Sequence, residues 1–213
     1  MPWPTNFMPE CSYDLIRVGA NADGGYLVER SSVEASRSLV ALGICYDWRF
    51  EERFLDLNDV PLVAYDHTTG GKLFAKVLAD RFVGMVTGRS PLSAVLNAAK
   101  KPFEYKRFFV GSRRHLQRKV GFSWCNAADL TSIISDSLLA KPFFLKIDIE
   151  GWEYRILDEI LAHEADISGI AMEWHDVDLH AARIADFIDA TSLKLVHTHP
   201  NNYSDTDAAG NSI

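Results

Sequence analysis

The sequence predicts an α/β fold, a mostly parallel sheet with helices on both faces. Three observations carry this. Short apolar runs rich in β-branched and aromatic residues alternate with amphipathic stretches along the 213 residues, the pattern of strand–helix–strand units. One run, Pro142–Ile149, is nearly continuous in apolar residues, as a strand covered on both faces should be. The length suits one sizeable core, with no internal repeat and no low-complexity linker, so residues 1–213 read as a single domain.

In chain order, Ser38–Gly43 reads as a buried strand. Asp47 then precedes a helical pattern that puts Phe50, Phe54 and Leu57 on one face at i, i+4 and i+7. Pro61–Asp66 is the next strand. The span 68–104 is too long for a simple crossover. Thr69, Gly70, Gly71, Gly88 and Pro91 punctuate it, so it predicts a helical insertion covering one edge of the site. Arg107–Gly111 is a third strand and Pro142–Ile149 a fourth. A helix over Glu153–His163 turns Ile156, Leu157, Ile160 and Leu161 to the core. Ile167–Trp174 is a fifth strand, Leu179–Ala190 another amphipathic helix, and Leu193–His197 a sixth strand.

Composition narrows the function classes. Apolar residues are 47% and charged residues 24%, the balance of a globular chain. The net charge of −7 disfavours a general nucleic-acid binder, which needs clustered cations to displace counterions. Even so, eight of the 22 basic residues fall between Lys100 and Lys119. That cluster reads either as a solvated surface or as a local face for an anionic substrate. Cys11, Cys45 and Cys125 lie far apart and match no disulfide or zinc spacing, which suits a reducing, cytoplasmic setting. The N-terminus lacks the regions of a signal peptide, and no apolar run approaches the roughly 18–20 residues that span a bilayer.

In an open parallel sheet, ligands bind at the carboxyl ends of the strands, where strand order reverses. Here those ends carry Gly43, Asp66-His67, Asp148–Gly151, Glu173–Asp176 and His197–Asn202, a concentration of carboxylates, imidazoles and amides that points to an enzyme. The loop Gly43-Ile-Cys-Tyr46-Asp47 has one glycine and does not match the G-x-G-x-x-G pyrophosphate fingerprint. Asp47, Glu51 and Glu52 load the next helix start with negative charge. That charge repels a diphosphate and tolerates a cationic ligand. Asp47 reads equally as a helix cap. Asp66 is placed to accept hydrogen bonds from two ribose hydroxyls, or to cap a loop.

Lys146, Asp148 and Glu150 alternate on the fourth strand and so share a face. They read as a salt bridge, or as a site where Asp148 or Glu150 orients an acceptor and takes its proton. Glu173 and His175 share a face likewise. His175, His197 and His199 approach one sheet edge, and neutral His175 is a candidate general base. A divalent cation among Asp148, His175 and Asn201 is a minor alternative, and the preferred reading has no metal.

At these residues the sequence resembles the FkbM-type methyltransferase family. Phe144–Glu153 (FLKIDIEGWE) fits the family's K-x-D-x-E-G-x-E core, and Ile170–His175 (IAMEWH) follows it. His197–Tyr203 (HTHPNNY), Arg17–Val28 (RVGANADGGYLV) and Leu42–Glu51 (LGICYDWRFE) fit one branch. Coverage runs from about residue 15 to 210. The resemblance implies a Rossmann-like class I methyltransferase fold that uses S-adenosylmethionine to methylate hydroxyls of sugars, glycolipids or other small molecules. Carried onto this chain, Gly43, Tyr46, Asp47, Asp66 and Asp148 would hold the cofactor. Asp148, Glu150 and His175 would lie beside the transferred methyl, and the Asp23–Tyr26 element would pack near the cofactor. The first loop departs from the family's D-x-G-A-x-x-G pattern. Related sequences also continue into another strand, so either this chain is cut short or that strand is absent.

Two other readings compete. An NAD-dependent oxidoreductase suits a similar sheet but lacks its glycine fingerprint here. A methyltransferase-like, non-enzymatic module that binds a glycan or a protein partner is favoured by the degenerate first loop.

Overall fold

The computed structural model describes residues 7–21, 24–122, 127–135 and 139–199. Its centre is an all-parallel sheet of β3 (Ser38–Leu42), β4 (Leu62–Tyr65), β5 (Arg113–Leu116), β6 (Phe143–Ile147) and β7 (Ile167–Met172). The spatial order is β5-β4-β3-β6-β7. Counting only these five strands along the chain, that order is 3-2-1-4-5, as in Rossmann-like sheets, with the reversal between β3 and β6.

Alternation along the central strands splits the core in two. Val40, Leu42, Val63, Leu145 and Ile147 face one side, against α5 (Leu130–Ile134), α6 (Leu157–Ala162) and α7 (Val177–Ala190). Leu39, Ala41, Leu62, Ala64 and Phe144 face the other, against α2 (Arg49–Leu57). There Phe54 lies 5.1 Å from Phe144, ring to ring. The helical periodicity of Phe50 and Phe54 is therefore the imprint of this second layer. No helix among the described residues is long and apolar enough to cross a membrane.

An antiparallel hairpin, β1 (Leu15–Gly19) and β2 (Gly25–Glu29), pairs Leu15 with Glu29 and Gly19 with Gly25. It buries Val18 and Val28 on the α2 side, and α1 (Arg30–Ala35) leads from it into the sheet. The span 68–104 holds α3 (Gly71–Val86) and most of α4 (Leu92–Phe108).

Two strand expectations are corrected. Arg107–Gly111 is not a strand, because α4 runs through Phe108 and β5 begins at Arg113. Tyr105, Phe108 and Phe109 are aromatic because they surround the Trp48 ring at centroid distances of 5.9, 6.5 and 6.1 Å. Their i, i+3, i+4 spacing is that of one helix face continued into its cap. Leu193–His197 forms no ladder either. It packs Leu193 against the core without the backbone pairing that makes a strand, so apolar content there reports burial alone. The Glu153–His163 helix is broken: a 3₁₀ turn over Glu153–Arg155 precedes α6.

Candidate functional site

The reversal of strand order brings the ends of β3 and β6 together. The Asp148 N–H donates to the Leu42 carbonyl at 2.8 Å, and the Gly43 N–H to the Tyr65 carbonyl at 2.9 Å. Gly43 has φ +83°, and a Cβ there would sit 1.7 Å from the Asp148 carbonyl oxygen. Glycine is required twice over, by the left-handed backbone and by the contact. Gly43, Asp66 and Asp148 thus share one rim of the sheet.

Asp66 is committed to the protein itself. One carboxylate oxygen accepts from the N–H groups of Ile44 (3.0 Å) and Cys45 (2.6 Å). The other accepts from the Thr68 N–H (2.6 Å), the Thr68 hydroxyl (2.6 Å) and the Thr69 N–H (3.2 Å). Burial alone raises its pKa, but the Thr68 hydroxyl and the backbone N–H groups of Cys45, Thr68 and Ile44 outweigh it and hold the carboxyl at about 2. A carboxylate offers about four acceptor sites, so five donors leave none for a ribose. Asp66 thereby clamps the β3 and β4 loops together. The Thr69 hydroxyl, donating to the Cys45 carbonyl at 2.6 Å, reinforces it.

On the β6 side, buried Lys146 donates to the Gly43 carbonyl at 2.5 Å and lies 3.4 Å from the Asp148 carboxylate. Glu51, on α2, is completely buried, and neither of its oxygens has a hydrogen-bond partner. Burial pushes its carboxyl up to about 7, against the pull of Lys146 and with the help of Asp47 and Asp148. The Tyr26 hydroxyl, from the hairpin, donates to Glu173 at 3.0 Å. Burial, then the charges of Asp148 and Glu173, push that phenol well above its ordinary range. The helix, the hairpin and the ends of β6 and β7 therefore converge on one acidic cluster.

The strands end before the acidic residues and His175 that follow them. Strand β6 ends at Ile147 and β7 at Met172, so Asp148, Glu150, Glu173 and His175 lie in the loops beyond. His175 Nδ1 is 3.0 Å from Glu153, and its Nε2 is 3.5 Å from Glu150. Glu153 is fully buried and also accepts the Ile149 N–H at 2.9 Å. Its hydrogen bond is the main reason that the imidazole is raised to about 9. His175 is therefore charged at neutral pH, and its expected role as a neutral base is corrected. Glu150 is largely exposed and Asp148 partly so, leaving the carboxylates as the available bases.

Backbone conformation marks the same rim. The non-glycine residues at positive φ among the described residues are Cys45 (41°), Glu150 (55°) and Asp176 (50°). They follow β3, β6 and β7, one per loop. Each left-handed side-chain-bearing residue costs about 1–2 kcal/mol, and such strain concentrates at working sites.

The Tyr46 ring packs 6.0 Å from Phe74 of α3 and below Lys101 of α4. Asp47 chelates Arg49 through its carboxylate and accepts the Arg49 N–H at 3.1 Å, while Trp48 holds the cap position. His197 and His199 stack on each other at 6.2 Å. Asp23 and Asn201 lie outside the described residues. Part of the basic stretch lines a groove of about 450 Å³ with Lys106, Arg113, Arg114 and His115. That groove runs along the outer strand β5, three strands from β6 and so about 14 Å away.

Sequence reasoning missed Tyr26 and Glu153, whose partners are distant in the chain. The signals for Glu153 were its place as the last acid of the K-x-D-x-E-G-x-E segment and an acidic residue in an otherwise core-facing turn. Compared with known proteins, the chain matches no family model, no curated protein and no solved structure.

Proposed function

We propose that the chain is an S-adenosylmethionine-dependent O-methyltransferase acting on a hydroxyl of a sugar, glycolipid or other small molecule. The observation that carries this reading is the acidic, strained rim where strand order reverses, with Asp148 against Gly43 and left-handed residues in three loops. Ligands of such sheets bind at that reversal. A rim bearing Asp47, Asp148, Glu150 and Glu173 suits a sulfonium and repels a diphosphate, which sets an NAD-type reading aside.

S-adenosylmethionine supplies an electrophilic methyl group on positively charged sulfur. The chain's contribution is to align an acceptor oxygen with that methyl and to receive a proton. Asp148 is the group placed to take the hydroxyl proton as the new C–O bond forms and the C–S electron pair returns to sulfur. Glu150 flanks it, and His175, held by buried Glu153, positions the Glu150 loop. Gly43 permits close approach of the Asp148 backbone, and Asp66 keeps the Ile44–Cys45 and Thr68–Thr69 loops in place.

The test is thermal unfolding with S-adenosylhomocysteine. At a hundred times its dissociation constant the ligand stabilises the chain by about 2.7 kcal/mol, and Asp148→Asn should then retain binding while losing methyl transfer. An unchanged midpoint at millimolar ligand refutes the reading. A second reading, a non-enzymatic module for a glycan or protein partner, is favoured by the saturated carboxylate of Asp66. It predicts partner binding with no response to the cofactor.

A further inference from the structure

We infer that Asp148, Glu150 and His175 form a divalent-cation site just beyond the ends of β6 and β7. One ligating atom from each lies within 4.8 Å of the others. Ligands on opposite sides of an ion, bound at about 2.2 Å, stand about 4.4 Å apart. Neighbouring ligands stand closer, about 3–3.6 Å apart, so closing the trio onto one ion draws its atoms in by about an ångström. Glu150 is the exposed member, on a loop, so its side chain can supply that movement at little cost in packing.

A second observation, behind the trio, points the same way. His175 turns Nδ1 to Glu153 at 3.0 Å, leaving Nε2 as the nitrogen that faces Glu150, and an ion bound there displaces the Nε2 proton to solvent. Metal-binding histidines characteristically give their other ring nitrogen to a carboxylate, which fixes the ring and raises its basicity. Glu153 is completely buried, and its second oxygen has no hydrogen-bond partner. A buried carboxylate, half unpaired and spent on orienting one imidazole, is costly unless that imidazole has a strong partner of its own.

The donor set selects the ion. Two carboxylate oxygens and one imidazole nitrogen suit a first-row divalent ion such as Mn²⁺ better than Ca²⁺, which takes oxygen alone. Three protein ligands leave positions open for water or a hydroxyl-bearing ligand. On the transfer reading, an ion there would lower the pKa of the acceptor hydroxyl beside Asp148. The ion site itself does not depend on that reading.

The experiment titrates the full chain with Mn²⁺ alone, following the free ion by electron paramagnetic resonance. One saturable site per chain is expected. Glu150→Gln, an exposed change that leaves the fold intact, should weaken it at least tenfold. Asp178→Asn, an equally exposed carboxylate in the first turn of α7, should leave it unchanged. No saturable site at millimolar Mn²⁺, equal affinity in Glu150→Gln, or an equal loss in Asp178→Asn overturns the inference. The S-adenosylhomocysteine shift measured on the same samples separates the two proposals. A retained shift without an Mn²⁺ site sinks the cation site alone, and an Mn²⁺ site without the shift sinks the transfer reading alone.

Discussion

Replacing Glu51 by glutamine should change the pH dependence of stability more than its value in acid. Glu51 is fully buried beside Lys146 and Asp148, with both oxygens unpartnered. Burial lifts its carboxyl from an ordinary 4.5 to about 7. A raised folded-state pKa means that the native chain binds the proton more tightly than the unfolded chain. The stabilisation is then complete below about pH 4.5 and lost as pH rises through 7. Each pKa unit is worth ~1.4 kcal/mol, so ionising Glu51 in the folded chain costs about 3 kcal/mol by pH 8. Glutamine keeps the shape and cannot ionise. In urea titrations at pH 5, 6, 7 and 8, Glu51→Gln should match the wild type within about 1 kcal/mol at pH 5. It should then exceed the wild type by about 2–3 kcal/mol at pH 8. Taking the difference between the two proteins cancels the other titrating groups. A difference that is the same at pH 5 and pH 8 would refute the reasoning and mean that Lys146 neutralises Glu51 outright.

Two further changes test the rim. Gly43→Ala places a methyl group 1.7 Å from the Asp148 carbonyl on a backbone at φ +83°. Strain and overlap together should cost about 3 kcal/mol or more, and a denaturation midpoint equivalent to less than 1 kcal/mol of loss contradicts the packing described. Asp66 is depressed to about 2 by its hydrogen bonds, so its stabilisation is present above pH 4 and lost as pH falls through 2. Asp66→Asn should therefore lose about 2 kcal/mol at pH 7, with the gap closing in acid. A constant gap between pH 7 and pH 3 would show that the charge is not what the two loops hold.

The errors in reading strands share one cause. Arg107–Gly111 and Leu193–His197 have the apolar content of strands, yet one closes a helix around Trp48 and the other packs without a ladder. Apolar content reports burial, and only backbone pairing separates strand from helix or extended coil when a run is this short. Strand β5, Arg113–Leu116, escaped notice for the converse reason. Its residues are half-exposed at a sheet edge, so polar side chains fill a true strand. The rim of the sheet was more legible than the partners of its residues. The ends of β3, β4, β6 and β7 were legible, because their apolar runs stop abruptly at Gly43, Asp66, Asp148 and Glu173. That Asp66 serves backbone N–H groups and that His175 is charged were not, since both depend on partners 21 or 22 residues away in another loop.

What the sequence determined alone is the layered α/β architecture and the rim on which polar groups collect, because periodicity and the ends of apolar runs are local properties of the chain. Tertiary structure decided what each rim residue does. Whether a carboxylate ligates, clamps or stays protonated depends on which donors and charges fold against it: four N–H groups for Asp66, Glu153 behind His175, and a dry pocket around Glu51. Those neighbours come from elsewhere in the chain, and their fields act over a few ångströms only once the sheet has brought them together.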